Sequence, residues 1–267
     1  VFDHNGWNLN TGAQPTIFNH NIYIQNGTTE VVFRNNITSD ASSHGIQMRS
    51  GGVAEHNLFI SNPLAIHIGG GTHPDEGGVA AVAKNNLIMY GRDINENSPR
   101  GFGLSVSNIR QAIIDSNYLH LSNAGYNHDA IQIGGDRDLM AANITITNNT
   151  ILGWNGSFRI AGPADGQILE NITVENNTIY RDLTPGGPGG DFNLPMVNLF
   201  ETWRDDINLD NNIYRYFNLH SRPFKIGGSS IQPDEWQSTV EPTAIVIAED
   251  SPPPTLDLEL YMQTVGQ

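Results

Sequence analysis

Short runs of alternating aliphatic and polar residues recur down almost the whole chain, and each ends on the same punctuation. In VVFRNNI, VAEHNLF, AVAKNNL, AIIDSNYL, ITITNNTI, ITVENNTI and INLDNNI, an Asn closes the run and one or two further apolar residues follow it. These asparagines are Asn36, Asn57, Asn86, Asn117, Asn149, Asn177 and Asn212, with Asn5 an eighth candidate. Their spacings of 31, 21, 29, 31, 32, 28 and 35 residues are too regular for chance and too variable for a strict repeat. Alternation with a period of two predicts strands. A unit of this length, holding two or three such strands, cannot bury its apolar face alone, so successive units must stack. The pattern therefore predicts an all-β solenoid, a single-stranded parallel β-helix of about eight coils.

In such a stack equivalent residues fall into columns about 4.8 Å apart. A column of Asn is useful there for two reasons: Asn tolerates the left-handed conformation a corner needs, and its amide can donate to one coil while accepting from the other. An internal Asn ladder is expected.

Between the Asn copies lies a second alternating run, usually ending in Gly: NIYIQNG, HGIQMRSGG, LAIHIGGG, GFGLSVS, DAIQIGG, GSFRIAG, MVNLFE and PFKIGG. The apolar pair in each should point inward and the residue between them outward. That places Tyr23, Gln47, His67, Ser105, Gln132, Arg159, Asn198 and Lys225 in one outward column. A neighbouring outward column of Asn21, Gly45, Ala65, Gly103 and Ala130 is expected to be small enough for a ligand to lie against the sheet.

Residues 1–240 read as one β-helix domain and 241–267 as a Pro-rich tail or cap, with a short helix expected between Leu256 and Val265. The opening Val1-Phe2-Asp3-His4-Asn5 reads as the middle of a coil, so earlier coils or a signal sequence are expected upstream. Stretches 70–78, 92–100 and 182–195, and the region around Gln232, read as insertions that could rim a groove. The several Asn-x-Ser/Thr sequons follow automatically from a repeat rich in Asn, Ile and Thr.

Charge then narrows the partners. A formal net charge of -15 argues against nucleic acid and anionic membranes, and no apolar run is long enough to span a bilayer. There is no cysteine, so disulfides play no part. Many Asn and Gly, few Lys and an acidic surface incline the chain to a secreted setting, extracellular or periplasmic. The outward column instead carries ring, amide and guanidinium groups, which bind sugars and carboxylates; the expected partner is a polysaccharide.

Histidines gather in the first half of the chain, including His4, His20, His44, His56, His67, His73 and His128. His20 and His44 occupy matching places on consecutive coils, and His128 precedes Asp129 at the mouth of a later one. Imidazole can act as base or acid near neutral pH, and Arg or Gln can neutralise a substrate carboxylate. The expected catalytic set is His44, His67, His128, Arg159 and Tyr23, with Gln47, Arg49, Ser105, Gln132 and Lys225 binding substrate. No cofactor is expected. The acidic runs Asp75-Glu76, Asp136 to Asp138 and Asp205-Asp206 offer the oxygens that calcium takes, without the spacing of a defined calcium loop.

With its Asn ladder and repeated strand, the chain from about residue 5 to 230 resembles the right-handed parallel β-helix proteins. That pectin-lyase-like group contains pectate, alginate and chondroitin lyases, mannuronan epimerases and several glycoside hydrolases. The paired-Asp and Gly-His-Gly pattern of polygalacturonases and the Asp-Pro-His element of mannuronan epimerases are missing, and no calcium-and-Arg signature of pectate lyases is recognisable. The resemblance implies a right-handed coil and a carbohydrate-active enzyme, with β-elimination on a uronic-acid-containing glycan favoured. A non-catalytic glycan-binding or adhesive module is the alternative. Hydrolysis is a third reading, with Asp129 and Glu201 the nearby carboxyl candidates.

Overall fold

The structure, a computed structural model, describes residues 1–70, 77–95, 98, 100–122, 129–134, 140–154, 156–161, 168–182, 195–199, 205–217 and 223–251. More than half of it is strand, and the strands form three sheets whose pairings are all parallel except that of Ser229–Ile231 with Phe224–Ile226 at the end of the front sheet. The front sheet runs Ile22–Ile24, His44–Met48, Leu64–Gly69, Phe102–Ser107, Asp129–Ile133, Gly156–Ile160, Val197–Leu199 and Phe224–Ile226. The side sheet runs Val32–Arg34, Gly52–Glu55, Val79–Lys84, Ile109–Asp115, Met140–Thr147, Ile168–Glu175 and Ile207–Asp210. The rear sheet starts at Phe2–Asp3 and continues through Ile37–Ser39, Leu58–Ile60, Leu87–Gly91, Tyr118–Ser122, Thr150–Leu152, Thr178–Asp182, Ile213–Phe217 and Ile245–Ala248. From Ile22 to Phe217 the chain visits front, side and rear in rotation and adds one strand to each sheet per turn, which is the winding of a parallel β-helix.

Register explains the core. Ile46, Ile66, Leu104, Ile131, Phe158, Val197 and Phe224 are successive partners across the front sheet, and all are buried. Each such side chain contributes about 1.5–3 kcal/mol of burial, and none is buried until its neighbours are in place.

The Asn pattern becomes a continuous chain of hydrogen bonds. The Nδ2 group of Asn57 donates to Asn86 Oδ1 at 3.0 Å, Asn86 to Asn117 at 2.9 Å and Asn117 to Asn149 at 3.0 Å. Asn149 donates to Asn177 and Asn177 to Asn212, each at 2.9 Å. Every one of these Oδ1 atoms also accepts the backbone N–H of the preceding coil's Asn, and Asn57 Oδ1 accepts that of Asn36. The run ends on Glu241, whose two carboxylate oxygens accept from Asn212, Tyr214 and Trp236.

Two expectations about this column need correcting. The left-handed residue at the corner is the one before the ladder Asn: Asn35, His56, Asn85, Ser116, Asn148, Asn176 and Asn211 all have φ between 53° and 57°. Asn5 stands outside the ladder, bonding instead to Asn21 through its backbone N–H and its Nδ2.

The second outward column is also overturned. Ala65 and Ala130 belong to the hydrophobic core. A Cβ on Gly45 would stand 2.9 Å from buried Phe59, and one on Gly103 would stand 2.5 Å from buried Leu119. Asn21 turns inward too, its Nδ2 donating to Thr38 Oγ1 at 2.9 Å. The chain bends where the rear sheet passes into the front sheet, so two consecutive residues, 45 and 46, both face the interior. Small side chains are there to make the corner, and the alternation restarts one residue late.

The expected helix at 256–265 lies outside the described residues. A seven-residue helix, Pro233–Thr239, instead stands at the end of the front sheet, with Trp236 buried and stacked on Phe224 at 4.3 Å. The strand Ile245–Ala248 then lies past the change of composition at Glu241 and pairs with Ile213–Phe217. No helix among the described residues is long and apolar enough to cross a membrane.

Candidate functional site

Across the front sheet, Tyr23 pairs with Gln47, Gln47 with His67, His67 with Ser105, Ser105 with Gln132, Gln132 with Arg159, Arg159 with Asn198, and Asn198 with Lys225. All eight residues stand in one row, one per coil. The row divides into neighbourhoods because coils are about 4.8 Å apart. Arg159 is three coils from His67, roughly 14 Å, and Lys225 is five coils away, roughly 24 Å. Lys225 is thus on the same line as the histidines and out of their reach. His128 lies outside the described residues, as do Asp75, Glu76, Asp136, Arg137, Asp138 and Glu201.

What the structure brings together lies on the first three coils. An open cleft of about 580 Å³ is lined by Gly6, Ile17, Phe18, Asn19, His20, Tyr23, His44, Gln47 and Arg49. The late restart of alternation at the corner explains why His44, three residues before Gln47, shares its face. His20 Nδ1 and His44 Nδ1 are 2.8 Å apart, and Ser43 Oγ is 2.8 Å from the same His44 nitrogen. The two imidazoles meet edge to face, ring centres 4.3 Å apart, and His67 follows at 5.7 Å from His44. His20 also stacks on Tyr23, and the Arg49 guanidinium lies over the same phenol ring at 5.4 Å. The Tyr23 hydroxyl donates to Gln25 Oε1 at 2.8 Å.

Glycine decides where His67 sits. Gly70 adopts φ +71°, and a Cβ there would stand 2.4 Å from His67 Nε2. Buried Nδ1 of His67 and buried Nε of Arg49 have no hydrogen-bond partner among the described residues.

Electrostatics keep these rings neutral. Burial, then the charge of Arg49, pushes His20 down to about 4. Burial pushes His67 to about 4 as well, assisted by Arg49, His20 and Arg100. His44 is held well below the usual imidazole range, by burial first and then by His67, His20, Arg100 and Arg49. At neutral pH each ring has one unprotonated nitrogen, and the Arg49 guanidinium lies close by.

A second neighbourhood forms around Asp129. Burial pushes its carboxyl up to about 6, against the opposing pull of Arg159 and Arg181. Gln132 Nε2 donates to the Gly134 carbonyl at 3.0 Å, and Arg159 Nε is buried without a partner among the described residues. Sequence reasoning missed Arg100 and Arg181. Arg181 lies on the rear sheet, and its charge reaches Asp129 only across the corner, so no run of residues announces it.

Comparison with protein-family models, with curated proteins and with solved structures finds no match to this chain.

Proposed function

We propose that this chain is a right-handed parallel β-helix of about eight coils, of the pectin-lyase-like kind, and that it cleaves a uronic-acid-containing polysaccharide by β-elimination outside the cytoplasm. The reading rests on one observation: among the described residues the lining of the cleft holds imidazole, amide, phenol and guanidinium groups and no carboxylate, in a protein of net charge -15. Such a lining suits an anionic sugar.

In the proposed reaction a neutral imidazole, His44 or His67, removes the proton at C5 of a uronate. Charge then develops on the carboxylate oxygens, where Arg49 and Gln47 oppose it; groups already in place for such charge need no reorganisation. The C4–O4 bond breaks, a C4=C5 double bond forms, and the leaving oxygen takes a proton, from Tyr23 or a histidine. Arg159, three coils on, would meet a different sugar of the same chain, as would Ser105, Gln132 and Lys225 further along the row. No cofactor has a part in it.

The unsaturated product absorbs near 235 nm. Incubation with alginate, pectate and chondroitin is expected to produce that absorbance with one of them, and His44→Ala or Arg49→Ala is expected to abolish it. A rise in reducing ends without absorbance would replace elimination with hydrolysis. The second reading, glycan binding without chemistry, is favoured by Phe18 and Tyr23, which are 81% and 41% exposed at the cleft and offer ring faces to a sugar. Binding by the native protein with no new absorbance or reducing ends would establish that reading.

A further inference from the structure

We infer that His20 and His44 share one proton between their Nδ1 atoms and so form a coupled acid–base pair, one ring presenting a bare Nε2 and the other an Nε2–H. The inference starts from geometry. Two ring nitrogens 2.8 Å apart are at hydrogen-bonding distance, and two lone pairs held that close would repel. One of the two Nδ1 atoms must therefore carry a hydrogen and the other accept it. A neutral imidazole has a single N–H, so the ring that donates at Nδ1 is bare at Nε2, and the ring that accepts at Nδ1 carries its hydrogen on Nε2. The tautomers are complementary by necessity.

Position makes this more than a packing detail. Both rings line the cleft, and their edge-to-face contact is fixed from both sides, by Tyr23 stacked on His20 and by Ser43 Oγ against His44. Arg49 lines the same cleft, so a second positive charge on the pair is opposed from close by.

In the elimination proposed above, on which this step rests, the pair can move a proton without ever holding two extra. The bare Nε2 takes the C5 proton; the Nδ1 proton crosses the 2.8 Å gap; the partner's Nε2–H passes to the departing O4. One C–H and one C–O bond break, one C=C and one O–H bond form, and the pair is left neutral with its tautomers exchanged. This assigns to His20 the acid–base role that Tyr23 would otherwise fill.

Long-range ¹H–¹⁵N spectra of the ligand-free protein at neutral pH test the pair directly. The expected result is one protonated and one bare Nδ1 in the two rings, with the opposite assignment at their Nε2 atoms. Two rings of the same tautomer, or an imidazolium in either, would overturn it. On whichever glycan is cleaved, His20→Gln and His44→Gln should each lower kcat by about 10²-fold or more. The double variant should be little worse than either, because coupled groups fail together. Additive losses would overturn the relay. If no glycan is cleaved the lyase reading falls, while the spectra still decide whether the proton is shared.

Discussion

Three half-buried histidines leave a mark on stability that has a definite sign. Burial pushes His20 and His67 down to about 4 in the folded chain and holds His44 well below the ordinary value, which for all three is 6.5. Below that ordinary value the unfolded chain takes up protons that the folded one refuses. Their contribution is therefore complete above pH 6.5 and is lost as the pH falls toward 4. Asp129 works the other way: its folded value of about 6 lies above its ordinary 3.8, so its contribution is complete below 3.8 and is lost as the pH rises through 6. Burial likewise raises Glu241 above its ordinary 4.5, so it acts with Asp129, and three groups outweigh two. Urea midpoints should fall between pH 6.5 and 4, and His67→Gln should flatten the decline by about one proton's worth of slope. An unchanged slope in that variant would mean that His67 is solvated.

At the scale of the element the question is what one ladder Asn contributes. Asn149 is fully buried; its Oδ1 accepts two donors from Asn117, and its Nδ2 donates to Ile114, Thr147 and Asn177. Asn149→Ala leaves several of those groups buried and unpaired, at a cost on the order of 3 kcal/mol. Asn36 begins the run, and among the described residues its Nδ2 donates only to the Arg34 carbonyl two residues back. Asn36→Ala should cost about 1 kcal/mol. Equal losses in urea titrations would show that the ladder acts through turn formation alone. The asparagines were legible because a buried amide must recur at one place per coil. The turn chemistry around them was half legible: Asn35, Asn85, Asn148, Asn176 and Asn211 supply the left-handed residue, yet His56 and Ser116 do the same. Position in the corner matters there more than residue type.

For the molecule as a whole, charge sets how a polyanion arrives. A net charge of -15 repels an acidic glycan at long range, while Arg49 attracts it only inside the cleft. Added salt shortens the reach of the repulsion more than it weakens a contact made at bonding distance. The association rate of an anionic oligosaccharide should therefore rise as salt goes from 10 to about 150 mM. A steep fall in stopped-flow measurements would mean that attraction already dominates at a distance.

The alternation of residue types, by itself, determined the three-strand repeat, the Asn column and the row from Tyr23 to Lys225, because a period of two leaves one inward set in each strand. It failed where the backbone stops alternating. At the corner Gly45 and Ile46 both face inward, which moved the small column into the core and turned His20 and His44 onto the face of Gln47. Only the tertiary structure could place those two nitrogens 2.8 Å apart, or bring the charge of Arg181 to bear on Asp129. Such pairings arise from the stacking of coils and the angle of a bend, and no local run of residues encodes either.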